Sequence, residues 1–448
     1  MDRARLKQEI REAIAAAAGH ITGLAADLLT CPELGFKEQA TAGRVARELR
    51  ALGLEVREGL ALTGIKARLP GRRRGPTVAV LGELDAVICP EHPEADPQTG
   101  AAHACGHHAQ LANLVGAAIG LVRAGAAGWL DGDIVFIATP AEEFAEIEYR
   151  LALNERGLVE FMAGKPELIR LGEFTDVDLS MMVHAAGGPA DGFAVGGSSN
   201  GFMAKMLRFE GREAHAGAEP HLGVNALNAA LVALSAVHAQ RDTFRDEDSV
   251  RVHPIITRGG DIVNVVPASV HLETYVRARS LEAIQSAAGK VDRAAAAGAL
   301  AMGASVTIED IPGFLPMLND PLLTSVFQAN LAALVGPGRV RETGHMAGST
   351  DMGDLSHLMP AIHAYGAGVT GHAHSRSYRI QDPFLAYVVP AQALAMTVVD
   401  LLSDGAVVAG DIVTRSRPRL TREQYLDRLR GFRGRRVYHG LDAELSGL

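Results

Sequence analysis

The sequence predicts an α/β protein in which a small βαββαβ module interrupts a larger sheet domain. Three observations carry this expectation. Short apolar runs of β type alternate with segments of helical period before residue 196, and the same rhythm resumes after residue 321. Between them the order changes to strand, helix, strand, strand, helix, strand. The length of 448 residues also exceeds what one hydrophobic core usually supports.

Taken in order, residues 1–19 mix both charge signs and read as an amphipathic helix, lacking the apolar run and cleavage site of an export signal. Residues 56–58, 65–69 and 77–83 are short β runs set apart by Gly and Pro. Residues 107–123 carry an apolar face at helical spacing, and 133–138 are a buried-strand run. The module follows as strand 202–210, helix 224–240, strands 250–257 and 269–278, helix 281–297 and strand 305–310. VGGSSNG before it and IPGFLPMLNDP after it are the expected crossing points; the first lacks the GxxxxGK spacing of a phosphate cradle and reads as a hinge. The expected domains are therefore residues 1–196 and 312–409 of one discontinuous domain, 197–311 inserted into it, and an extension at 410–448. That extension holds nine arginines between Arg415 and Arg436 and reads as a solvated or subunit-packing tail.

Composition narrows the function. A 48% hydrophobic and 21% charged chain has an ordinary globular balance, which excludes a largely disordered protein. A net charge of −9 argues against nucleic acid as partner, because phosphate binding needs a basic surface. Apolar stretches such as 111–122 fall short of the roughly 20 residues of a membrane span, so no membrane partner is expected. Three scattered cysteines do not make a disulfide framework and imply a reducing cytoplasm.

The chemistry sits in LGELDAV, AAHACGHHAQ, TPAEE, MMVHAAGGP and GHAHSRS, each next to a strand end or loop. In HACGHH, Cys105 and His107 flank a glycine and can face a common point before a helix, while His103 and His108 add two more donors within six positions. A thiolate and an imidazole together suit a borderline-soft cation. The zinc deaminase pattern needs a later CxxC, which the chain lacks. Glu142 and Glu143 follow a buried run and can divide labour, one binding metal and the other taking a proton from water. Glu83 and Asp85 point to one side if their strand continues. His184 ends an apolar run and His374 lies in a late loop; taken with the other clusters, both read as ligands.

These motifs resemble the metallopeptidase and amidohydrolase family of carboxypeptidase G, aminoacylase and the hippurate and auxin-conjugate hydrolases. HACGH, the ExD in place of HxD, and PELGFKEQAT resemble the branch of p-aminobenzoyl-glutamate hydrolase and related dipeptidases, over about residues 33–402. The resemblance implies a zinc-peptidase-like catalytic domain with an inserted ferredoxin-like lid and dimerisation domain, hence a homodimer or higher homo-oligomer. It implies two divalent ions, zinc or manganese, held by Cys105, His107, Glu143, His184 and His374, with Glu142 as general base and Asp85 supporting the centre. It makes His215 an oxyanion stabiliser reaching into the neighbouring protomer, and gives Asn264 and Arg277 contacts to the substrate carboxylate and carbonyl. Gly348 opens GSTDMGD, similar to the family's GSEDFG loop. His374 is preferred to His372 because a serine follows it. Three features depart from the family: His108 stands where relatives have Asp or Asn, CPEHPEADPQTGAA lengthens the link before HACGH, and the arginine-rich tail is extra.

The expected reaction is hydrolysis of an amide C–N bond in a small N-acyl or aryl-amide amino acid or dipeptide-like substrate, by a water activated at the metal centre. Two alternatives stand beside it: an aryl-amine deaminase using the same centre, and a non-catalytic binding or assembly protein. Roles for Glu83, His103 and His108 are left open.

Overall fold

The computed structural model describes residues 2–185 and 192–440, so the end of the MMVHAAGGP motif and the last eight positions of the extension lie outside the described residues. The chain forms two compact units. The larger runs to Ser198 and takes in Leu318–Gly344 and Asp354–Arg422; the smaller takes in Ser199–Met317, His345–Gly353 and the chain from Glu423.

The larger unit is built on an eight-stranded sheet. Its order is Glu55–Leu60, Gly64–Leu69, Asp131–Thr139, Arg73–Glu83, Leu179–Ala185, Ala361–Gly366, Phe193–Val195, Val340–Glu342. The four central strands run parallel, from Asp131–Thr139 to Ala361–Gly366. Parallel strands need both faces covered, which explains why Thr77 to Glu83 is buried throughout and reads as a continuous apolar run instead of an alternating one. The helix His107–Arg123 covers one face and is buried from His107 to Leu121. It packs against Arg73–Glu83 and against the helix Val389–Leu402. With the turn before it, that second helix spans Phe384–Leu402, long and apolar enough to cross a membrane; 89% of that apolar stretch is buried inside the protein, as in a core helix. The opening segment is two helices, Arg3–Ala16 and Ala18–Leu29, where the sequence suggested one for its first part.

The smaller unit is an antiparallel sheet in the order Arg251–Val252, Ser269–Ala278, Gly201–Glu210, Ser305–Pro312, Gly434–Tyr438. Ser269–Ala278 alternates between buried and half-buried positions, the mark of a sheet covered on one face. The helices Ala226–Ala239 and Leu281–Met302 supply that cover. Ser280 caps the second by accepting from the Ala283 amide, and Gly303 ends it at φ 70°.

Three expectations differ from what is observed. Residues 312–317 and 345–353, expected in the larger domain, fall in the smaller unit. The run 250–257 is two strands, Arg251–Val252 and Ile255–Arg258, both paired with Ser269–Ala278, because Pro254 between them has no amide hydrogen for the ladder. The segment 410–448 is no simple tail: residues to Arg422 belong to the larger unit, and Gly434–Tyr438 is an edge strand of the smaller sheet. The reason is electrostatic. Lys205, fully buried, lies 2.7 Å from Asp292 and 2.5 Å from Asp310, and one lysine leaves two carboxylates undercompensated. Arg436 completes the set, pairing with Asp292 at 2.9 Å and with Asp310.

Candidate metal centre

Five of the chemically loaded residues of the larger unit lie at or just beyond the carboxyl end of a central strand, where open α/β sheets present their sites. Glu83 ends Arg73–Glu83 and Asp85 follows; Glu142 and Glu143 follow Asp131–Thr139; His184 is next to last in Leu179–Ala185. The turn carrying Cys105 and His107 requires its glycine. Gly106 has φ 95°, and a Cβ there would lie 2.1 Å from the Tyr378 hydroxyl. His374 comes from the late loop at φ 57°, a costly value for a histidine, and its amide donates to the Ala104 carbonyl at 2.9 Å.

These residues converge. Donor atoms of Cys105, His107 and His184 lie within 4.8 Å of one another, and so do those of Cys105, Glu143 and His374. One sulfur therefore belongs to two three-donor groups. Cys105 Sγ is 3.4 Å from His184 Nε2, and His374 Nε2 is 3.0 Å from Glu143 Oε1. A third group joins Glu83, His107 and Glu142, with His107 Nε2 3.1 Å from Glu83 and 3.9 Å from Glu142. His374 enters these groups and His372 does not.

A supporting layer fixes the donors. Asp85, fully buried, faces His107 Nδ1 with its carbonyl at 2.9 Å and its carboxylate at 3.2 Å, and accepts the Glu143 amide at 2.8 Å. His107 Nδ1 thus carries the proton and Nε2 faces the centre. Glu38, from PELGFKEQAT, accepts from the Ala141 amide at 2.7 Å and from Thr63 at 2.6 Å; burial and the nearby Asp85 charge push it up to about 7.

Sequence reasoning missed two cations. Lys165, fully buried, sits 2.6 Å from Glu83, whose other oxygen accepts from Gln110 at 2.8 Å. Arg150 ties together the loop after the glutamate pair by donating to the carbonyls of Ala141, Met162 and Glu143. The only available signal was an unbalanced charge: a glutamate ending a buried strand needs a counter-ion.

Charge settings follow from these contacts. Burial and the Glu143 carboxylate push the Cys105 thiol up, but the His184 and His107 charges outweigh them and bring it down to about 6. Burial opposes charge on Glu143 as well, yet the His374 hydrogen bond holds it down at about 2. Hydrogen bonds to Cys105 and Glu143 raise His374 to about 11. Burial resists protonation of His107, and Glu83 and Cys105 override it, raising it well above the usual histidine range. Buried anions gathered around imidazoles, with no hydrogen-bond partner for His184 Nδ1, form a thiolate, imidazole and carboxylate set suited to divalent cations.

The other candidates lie elsewhere. His103 and His108 line a separate cavity with His92. His215, Asn264, Arg277 and Gly348 belong to the smaller unit. There the exposed His215 accepts the amides of Gly217 and Ala218 at 3.2 and 3.0 Å through Nδ1, so its neutral ring carries hydrogen on Nε2. The Asn264 carbonyl accepts the Ala216 amide at 2.8 Å, the Arg277 guanidinium lies 5.1 Å from the Phe202 ring, and Gly348 is exposed.

The mouse (Mus musculus) Xaa-Arg dipeptidase is 29% identical over 90% of this chain and 91% of its own. The N-acetylcysteine deacetylase of Bacillus subtilis is 29% identical over 66% of this chain and 74% of its own. A solved dinuclear metal-binding peptidase of Bacillus subtilis superposes with TM-score 0.65 at 23% identity, covering 87% of this chain and 99% of its own, which shows a shared fold. Residues 79–395 match the model of peptidase family M20/M25/M40, to which the chain therefore belongs as a metal-dependent amidohydrolase or peptidase.

Proposed function

We propose that the enzyme hydrolyses the amide bond of a dipeptide, or of an N-acyl or N-aroyl amino acid, at a centre of two divalent ions, zinc or manganese. The carrying observation is the Cys105 sulfur shared by two three-donor groups, Cys105/His107/His184 and Cys105/Glu143/His374. When bound, such ions lower the pKa of water and polarise the amide carbonyl.

This chain's residues do the rest. Glu142 stands outside both sulfur-sharing groups yet within 3.9 Å of His107 Nε2, a position suited to take a proton from the attacking water and return it to the leaving amine. Asp85 accepts the His107 Nδ1 hydrogen, so Nε2 is the nitrogen that gives up its proton when a cation binds. Lys165 holds Glu83 ionised against burial, which keeps a second carboxylate beside His107. His215 offers an Nε2 hydrogen for the developing oxyanion in a neighbouring protomer's site, while Asn264 and Arg277 hold the substrate carboxylate and carbonyl and the Gly348 loop helps bind substrate. The dipeptidase relative, matching over nine-tenths of both chains, favours a dipeptide. Ile262 and Val263, 63% and 96% exposed in the smaller unit, support a homodimer through that unit. Cys31, Cys89 and Cys105, all free thiols, suit the cytoplasm.

The test strips the protein of metal and reloads it separately with zinc and manganese before a screen of dipeptides, N-acyl amino acids and aryl amides, with amine and ammonia both measured. Amide cleavage that needs metal is the expected result. Full metal occupancy without cleavage of any amide refutes the reading, and ammonia from an aryl amine without amide cleavage replaces it with deamination.

A further inference from the structure

We propose that the cavity beside the HACGHH turn is a second ligand site, which binds a free α-amino acid as its zwitterion. The cavity lies within the larger unit, has a volume of about 280 Å³, and none of the five proposed metal ligands lines it. That is the lower end of the range for small-molecule pockets, right for one amino acid.

Its lining combines three features. His103 and His108 are 2% and 0% exposed, yet both ring nitrogens of His103 and Nδ1 of His108 lack hydrogen-bond partners. Buried polar atoms are normally satisfied, so three orphaned nitrogens on two residues of the cavity wall leave that wall short of a partner. The neighbouring groups are already committed: His92 Nε2 donates to the Tyr378 carbonyl at 3.1 Å, its Nδ1 accepts the Glu94 amide at 3.2 Å, and the Tyr378 hydroxyl donates to the Ala185 carbonyl. Glu94 and Arg379 also line the cavity; both are exposed, and neither forms an ion pair among the described residues, with each other or with anything else. Arg379 is held in place by donating to the Arg376 carbonyl at 3.2 Å.

One unpaired carboxylate and one unpaired guanidinium match the ammonium and carboxylate of an amino acid. Leu29 and Ile380 receive its carbon atoms, and the two free nitrogens of His103 with Nδ1 of His108, whose Nε2 already faces the Tyr387 hydroxyl at 3.3 Å, meet the end of its side chain. A side-chain amide satisfies both; an aliphatic chain satisfies neither. The site thus uses two departures from the family pattern, His108 and the lengthened CPEHPEADPQTGAA segment that supplies Glu94. Binding stands independently of the hydrolytic reading; only a role as product sensor rests on it, because that hydrolysis liberates amino acids.

Calorimetric titration of the metal-loaded protein tests this, with glutamine, asparagine and leucine as probes and acetate and ethylamine as single-charge controls. Saturable binding of glutamine or asparagine at one per chain is expected, at least about tenfold tighter than leucine, with neither control binding. Arg379→Ala and Glu94→Gln should each weaken it about tenfold or more, with metal content and ligand-free turnover unchanged. Leu29→Trp, which fills the cavity and keeps both charges, should abolish it. No saturable binding, leucine binding as tightly as glutamine, or binding that survives the rim variants and Leu29→Trp, as an amino acid held at the metal centre would, overturns the proposal.

Discussion

The two units hold their functional candidates in opposite ways. In the larger, Glu83 and Asp85 are buried at the end of a parallel strand, Cys105 and His107 are buried at the turn into a helix, and Glu83, Asp85 and His107 are set by charged partners. In the smaller, His215 and Asn264 are exposed on an antiparallel scaffold and set only by local backbone hydrogen bonds. The difference teaches where stability and catalysis are coupled. A buried charge cluster cannot lose a member without destabilising the fold that holds it, whereas an exposed histidine can.

The largest effect belongs to Glu142→Gln, expected to cut turnover by about 10³-fold or more while metal content measured by mass spectrometry stays at the wild-type level. Near-normal turnover in that variant removes Glu142 from the reaction. Lys165→Met should come next, because it leaves Glu83 buried without its counter-charge: chemical denaturation is expected to show a loss of about 3–5 kcal/mol in stability. An unchanged midpoint would mean that the larger unit tolerates an unbalanced charge, and the contrast fails. His215→Ala should lower kcat by roughly 100-fold to 1000-fold with melting temperature unaltered. If it melts early instead, the smaller unit is coupled too.

The smallest effect is a proton count. In the metal-free protein His374 is raised to about 11 and so is charged at pH 7, whereas Cys105, lowered to about 6, is already mostly thiolate. Metal loading at pH 7 therefore releases protons chiefly from histidine, and apparent affinity falls as pH falls. Titrations in buffers of different ionisation heat should show release near pH 7, with the Cys105 proton joining it below pH 6. The raised His374 also stabilises the metal-free fold fully below its unfolded value near 6.5, a contribution lost only as pH climbs through about 11.

Much of the larger unit was legible because its signals are local. HACGHH, the glutamate pair, His184 and His374 each carry a ligand-type side chain next to an apolar run, and the structure brings Cys105, His107, Glu143, His184 and His374 into two groups. Lys165 was not legible, since its partner lies 82 positions earlier and nothing around it repeats. Arg150 was hidden likewise: it binds backbone carbonyls, which leave no trace in side-chain identity. In the smaller unit the strand and helix order was readable from periodicity, but the role of Gly434–Tyr438 was not, because the acids that recruit Arg436 come 144 and 126 residues before it.

That late strand bears on how the protein is made. When a ribosome has delivered residue 312, the earlier strands of the smaller sheet are in hand, but the flank of Ser305–Pro312 waits for more than a hundred further residues. During that interval its open amides and carbonyls are a template for any passing extended chain. Nascent molecules crowded on one message run that hazard longest, and it ends for each of them only when Gly434–Tyr438 arrives.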